Sequence, residues 1–178
     1  MHLKMDPLAY QFLENLNAAV KRKVTVTLIG GNALCALGLK DRTRDVDLVV
    51  RSTQREVAAF CREYLQRYKV KVDFFVDGLF HSVRVADYLQ KAFSVNAPEF
   101  PNLEVKILNI YDVILTKTLR FIERDQVDIK NVVSQMPISA SELDNRANYY
   151  LKHFLGPKDD FIQNYNLLKR AFGHLFKP

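Results

Sequence analysis

The stretch Thr27-Leu-Ile-Gly-Gly-Asn-Ala-Leu-Cys-Ala-Leu-Gly-Leu-Lys-Asp-Arg-Thr-Arg-Asp-Val-Asp-Leu-Val-Val50 limits what this chain can fold into more than any other. An apolar run of strand type ends in Gly30-Gly31, and a short helical pattern follows through Ala33, Leu34, Ala36 and Leu37. A polar turn then leads to Asp45-Val46-Asp47 at the head of a second apolar run. Two glycines permit a sharp turn and the close approach of a ligand, because no Cβ intervenes. A helix starting just after them aims free N–H groups and the positive end of its dipole at the turn, which favours phosphate. Asp45 and Asp47 alternate about Val46, so on a strand both carboxylates leave one face, roughly 6.6 Å apart along the chain. Hard anionic oxygens on a rigid strand beside a phosphate cradle suit Mg²⁺.

The length of 178 residues fits one domain, or a domain with a helical appendage, and allows a substantial core. Hydrophobic residues at 48% and charged residues at 26% lie in the range of soluble proteins. No apolar run approaches the ~20 residues that a membrane span needs. The opening residues, Met1-His-Leu-Lys-Met-Asp-Pro7, lack the apolar core of a signal peptide. Cys35 and Cys61 stand in no metal-type spacing and read as reduced core thiols of a cytoplasmic protein. His2, His81, His153 and His174 form no ligand pair. Charge is unevenly spread: residues 1–71 carry 13 Lys and Arg against 7 Asp and Glu, whereas residues 72–178 carry 13 against 13. The whole excess thus lies in the half that holds the glycine and aspartate motif. It reads either as a well-solvated surface or as an electrostatic footprint for a nucleoside triphosphate and RNA.

Taken in order, Asp6-Pro7 is a helix start, and Leu8, Phe12, Leu13, Leu16, Ala19 and Val20 recur at helical spacing up to Lys21-Arg22-Lys23. Strands are expected over 24–29 and 45–51, with a helix over 53–67. A third strand over 70–76 has Lys71, Asp73 and Phe75 on the face opposite Val70, Val72 and Phe74. Asp77-Gly78 signals a turn, and 79–85 and 103–108 read as further strands around an ambiguous segment, 86–102. From Asn109 onward the pattern is helical. Asn109 with Asp112 reads as a cap before a helix over 113–123, and Asp125 with Asp128 as a cap before 129–134. Ser139 with Glu142 starts a helix to about Leu155, stopped by Gly156-Pro157, and Asp159 opens the last one. The expectation is therefore an α+β fold, with a mixed β-sheet flanked by helices over 1–109 and a helical part over 110–178 packed on it.

Gly30-Gly31-Asn32, twelve intervening residues, and Asp45-Val46-Asp47-Leu48 together resemble the signature of the polymerase-β-like nucleotidyltransferase superfamily. The wording around it, Gly-Gly-Asn-Ala and Arg-Thr-Arg-Asp-Val-Asp-Leu, is most similar to AbiEii-type toxin-like minimal nucleotidyltransferases. One departure is that Asn32 stands where that motif most often has Ser. The resemblance implies transfer of a nucleoside monophosphate from an NTP to a hydroxyl. Two Mg²⁺ ions (or Mn²⁺) would be held by Asp45, Asp47 and a third acid from a neighbouring strand. Asp73 is the best candidate for that third acid, and Asp77 is its rival. Gly30, Gly31, Asn32 and Arg44 would line the nucleotide, with Arg42 and Arg44 also able simply to balance the nearby acids. Lys117, Arg120, Arg124 and Asp128 fall at offsets of 3, 4 and 4 along a helical face. By resemblance Lys117 would grip the β- and γ-phosphates with Arg124 in support, although such a stripe is equally a solvated face and Asp128 a capping residue. RNA, in particular a tRNA end, is the favoured acceptor, with a protein or a small molecule as the alternatives, and a cognate antitoxin is the implied protein partner. The alternative is a non-catalytic nucleotide- or RNA-binding module, for which two repelling carboxylates at a phosphate site serve no purpose.

Overall fold

The computed structural model describes residues 5–177, so His2 lies outside the described residues. In chain order the elements are α1 (Pro7–Ala19), β1 (Val24–Leu28), α2 (Gly30–Ala36), β2 (Val46–Val50), α3 (Arg55–Tyr68) and β3 (Val72–Val76). There follow β4 (Leu79–Phe80), β5 (Val83–Arg84), α4 (Tyr88–Lys91), β6 (Phe93–Ser94) and β7 (Leu103–Ile107). The remainder is helical: α5 (Ile110–Thr118), α6 (Glu123–Gln135), α7 (Ala140–Lys152) and α8 (Asp159–Phe172), closed by a 3₁₀ turn at Gly173–Leu175. This is the α+β architecture expected, a five-stranded mixed sheet with flanking helices followed by C-terminal helices. No described helix is long and apolar enough to cross a membrane.

The chain divides into two compact units, one of residues 1–78 with 86–108 and one of residues 79–85 with 109–178. The first holds the sheet, in the order β3-β2-β1-β7-β6. β1 runs antiparallel to β2 and parallel to β7, β2 runs parallel to β3, and β6 runs antiparallel to β7. Central strands of such a sheet are covered on both faces and read as near-continuous apolar runs. β1 and β2 fit this, with Val26, Leu28, Val46, Leu48, Val49 and Val50 all buried. α1 contributes Phe12, Leu13 and Leu16 to the core and α3 contributes Val57, Cys61 and Tyr64. Their rings meet edge to face, Phe12 lying 5.0 Å from Tyr64 and 5.7 Å from Phe60 between centroids, a favoured aromatic geometry. Cys35 and Cys61 are free and buried, and burial pushes the Cys61 thiol up to about 12.

In the second unit, Asn109 caps α5 by accepting from the Tyr111 amide at 2.9 Å, and Ser139 caps α7 by accepting from the Glu142 amide at 3.4 Å. Three expectations need correction here. The strand over 79–85 is instead a two-stranded hairpin, β4 and β5, reversed where His81 takes a left-handed φ of 50°. The helix over 113–123 starts earlier and stops at Thr118, because Phe121 at φ 50° turns the chain before α6. Asp125 and Asp128 do not stand before a helix start: both lie inside α6 and are buried, drawn inward by cations described below. The ambiguous segment 86–102 resolves into the single turn of α4 and the short strand β6.

Asp6 does more than start α1. One of its carboxylate oxygens accepts from the Leu8 amide at 2.9 Å and the other from the Thr43 amide at 3.2 Å, and the residue is only 4% exposed. It thereby fastens the loop before Asp45 to the first helix. Asp6→Ala leaves two amide donors without their acceptor, and it should cost about 1–3 kcal/mol in urea denaturation.

Candidate active site

The acids of the glycine–aspartate motif are placed by backbone pairing. Val46 opens β2, and its amide bonds the Lys71 carbonyl at 2.9 Å, which sets β2 against β3. The register then puts Asp47 directly beside Asp73, Leu48 beside Phe74 and Val49 beside Phe75. Side chains paired in parallel strands share a sheet face, and residues two apart in one strand share it as well. Asp73 on β3 therefore lies on the face that carries Asp47, and Lys71, the residue just before β3, reaches it there. Asp45 precedes β2 by one residue and is held through its carbonyl, which accepts from the Asn32 side-chain amide at 3.0 Å and the Thr43 hydroxyl at 3.3 Å. Both Asp45 and Asp47 are half-buried.

The two glycines have a steric duty in this arrangement. Gly30 adopts φ +53°, and a Cβ there would stand 2.7 Å from the Asp47 carboxylate. A Cβ on Gly31 would stand 2.6 Å from the Thr43 hydroxyl oxygen. Any larger residue at either position pushes the acid strand and its loop away from α2. Asn32 is inside α2 rather than at its cap and is 2% exposed; its amide nitrogen serves Asp45, while its side-chain oxygen is buried without a hydrogen-bond partner. Arg42 and Arg44 are exposed on the loop before Asp45.

Asp77, the rival third acid, is four residues beyond Asp73 at a left-handed φ of 51°, and its carboxylate accepts from the Ser52 amide at 3.0 Å. It shapes the turn after β3. Asp73 is instead bonded to a neighbour that received no role from the sequence, Lys71. The Lys71 ammonium is held above the ordinary lysine value first by its hydrogen bond to Asp73, and the Asp45 and Asp47 charges add to the effect. All three acids thus act on one cation. The signal was legible: Lys71 precedes Asp73 by two, the spacing that shares a strand face.

The donor set is all carboxylate oxygen, the chemistry that Mg²⁺ and Mn²⁺ prefer. It forms beside a backbone cradle that a Cβ would fill, and a lysine ammonium already supplies positive charge to it. In these respects the residues fit a divalent cation. Among the described residues no three acidic, histidine or cysteine side chains stand close enough to share one ion as they lie, and an Asp73 oxygen is bonded to Lys71.

A family model described as "Nucleotidyltransferase of unknown function (DUF6036)" matches residues 9–177. The chain belongs to that nucleotidyltransferase family. No curated protein and no solved structure matches it.

In the second unit of the chain, Lys117, Arg120, Arg124 and Asp128 do not form one helical stripe, since the chain turns at Phe121 between α5 and α6. The turn folds Lys117 onto Asp128 at 2.6 Å and toward Asp125 at 3.5 Å, with Lys117 only 7% exposed. Arg120 grips Asp125 with two bonds of 2.8 and 2.9 Å. Burial alone pushes the Asp125 carboxyl up, but the Arg120 fork and the Lys117 charge outweigh it and hold the group below its ordinary value. Arg124 remains exposed. A second buried pair joins Asp112, fully enclosed, to Arg146 through bonds of 2.6 and 2.9 Å.

Two outcomes follow. Gly30→Ala should lower stability by about 1–2 kcal/mol, since an L-residue is forced into a left-handed conformation against Asp47. Differential scanning fluorimetry with a denaturant series measures it. Lys117→Ala leaves two buried carboxylates short of a cation, and urea unfolding should show a loss of about 3–5 kcal/mol.

Proposed function

We propose that this chain is a Mg²⁺-dependent nucleotidyltransferase that moves a nucleoside monophosphate from an NTP to a hydroxyl acceptor and releases pyrophosphate. The observation that carries the reading is the in-register pairing of Asp47 with Asp73, two residues on from Asp45, beside a glycine turn. Asp45, Asp47 and Asp73 would hold the ions. Bound there, divalent ions would neutralise triphosphate charge and acidify the acceptor hydroxyl. The chain's own part is positional. β2 and β3 hold Asp47 and Asp73 side by side on one face, with Asp45 just before β2. Asn32 and Thr43 fix the backbone of Asp45, and Gly30 and Gly31 keep the approach beside Asp47 clear. In the reaction the acceptor oxygen bonds to the α-phosphorus as the bond to the bridging oxygen breaks. The hydroxyl proton passes to a carboxylate or to water, and the electron pair leaves with pyrophosphate.

Lys117 would reach a triphosphate only by giving up Asp128, so the reading rests on the acids. RNA as acceptor, a tRNA end included, is supported by the basic first 71 residues and by the likeness to AbiEii-type toxins. A cognate antitoxin is the partner implied by the same likeness. Lys21, Arg22 and Lys23 lie exposed before β1, at the opposite end of that strand from Gly30, with Arg22 bonded to Glu56 at 2.8 Å.

The test is incubation with each α-labelled NTP, Mg²⁺ and total RNA. Asp47→Asn should reduce transfer by about a thousandfold or more while the fold persists. Transfer by Asp47→Asn at the wild-type rate would sink the assignment, and NTP binding without transfer in any condition would favour the non-catalytic module. Changing Lys21, Arg22 and Lys23 together to Ala should flatten the salt dependence of RNA binding, by roughly 0.7 in log–log slope for each phosphate no longer neutralised.

A further inference from the structure

Lys71 is the least expected member of the acid face. Its side chain is well exposed and, from the position just before β3, reaches Asp73 two residues on. The charges of Asp45 and Asp47 act on it as well. Three carboxylates at −1 each and one ammonium at +1 leave a formal charge of −2, that of one divalent cation with its sign reversed. A lysine ammonium is a compact point charge on a flexible four-carbon stem, so it can leave without disturbing the strand. An exposed pair of this kind is weak and gives way to a stronger ligand.

We propose that Lys71 is a displaceable counter-ion of the acid site: it holds Asp73 while the site is without metal, and a divalent cation must expel it to use that carboxylate. This rests on the metal reading of Asp45, Asp47 and Asp73. Lys71 is on this account a positioning residue that sets the affinity of the site for its ion. It keeps Asp47 and Asp73, adjacent across β2 and β3, from facing each other uncompensated.

The test is Mn²⁺ binding to the full chain without nucleotide, followed by calorimetric titration and by loss of the free-ion EPR signal. Wild type, Lys71→Met, Lys71→Arg and Asp47→Asn are compared, each checked for native circular dichroism. Lys71→Met should bind Mn²⁺ about tenfold more tightly than wild type, because one opposing charge is gone. Lys71→Arg keeps the charge and should bind no more tightly than wild type, and Asp47→Asn should lose binding. Binding by Lys71→Met where wild type shows none supports the proposal as well. Wild-type affinity in Lys71→Met, with binding still abolished by Asp47→Asn, overturns the counter-ion role and leaves the metal reading standing. Absence of binding in every variant, or unchanged binding in Asp47→Asn, overturns both.

Discussion

The register between β2 and β3 is the constraint on which the acid site depends. Pairing Val46 with Val72 leaves Asp47 no neighbour on that side but Asp73. A slip of one residue would turn one acid to the other face of the sheet, and with it the apolar partners that bury Leu48. The alignment that buries the apolar core therefore also sets the acid pair side by side. The close approach at Gly30 adds a second lock, because α2 can come up to β2 only where a glycine faces the Asp47 carboxylate. Asp6 completes the frame by holding the Thr43 amide, and the Thr43 hydroxyl in turn bonds the Asp45 carbonyl.

The helical unit solves a different problem. Asp112, Asp125, Asp128 and Lys117 are ionisable groups enclosed among apolar side chains such as Val113, Ile114, Leu115, Ile129 and Val132. Buried charges are tolerated when each has a partner and additional hydrogen bonds, and here each carboxylate meets a guanidinium or an ammonium at bonding distance. Arg146 also lies over the Tyr149 ring at 4.5 Å, so its planar group is held on two sides. Directional pairs of this sort fix which turn of α6 faces α5, a choice that apolar packing alone leaves looser.

Much of this was legible in the residues. Strand–glycine–helix–acid–strand is a pattern whose periodicities of 2 and 3.6 leave little choice, and the elements over 24–76 lie within a few residues of expectation. Caps at Asp6, Asn109 and Ser139 were readable because short polar side chains there have local amide donors to satisfy. What failed did so where tertiary partners overrode local chemistry. Asp125 and Asp128 have the spacing of a cap, yet they are claimed by Arg120 and Lys117. The run over 79–85 alternates like one strand, but a left-handed His81 folds it on itself, and no glycine or asparagine announces that reversal. The spacing of Lys71 from Asp73 was readable, but a role for its charge emerges only once Asp45 and Asp47 are known to act on it as well.

In the order β3-β2-β1-β7-β6, β2 is an interior strand and β3 an outer one. Asp47 is thus carried by a strand laced on both sides, and Asp73 by a strand laced on one. The acid face consequently has a stiff half and a compliant half, divided along the line between those two residues. A shift of β3 against β2 would change the gap between Asp47 and Asp73 while the glycine turn and Asp45 stay with β2.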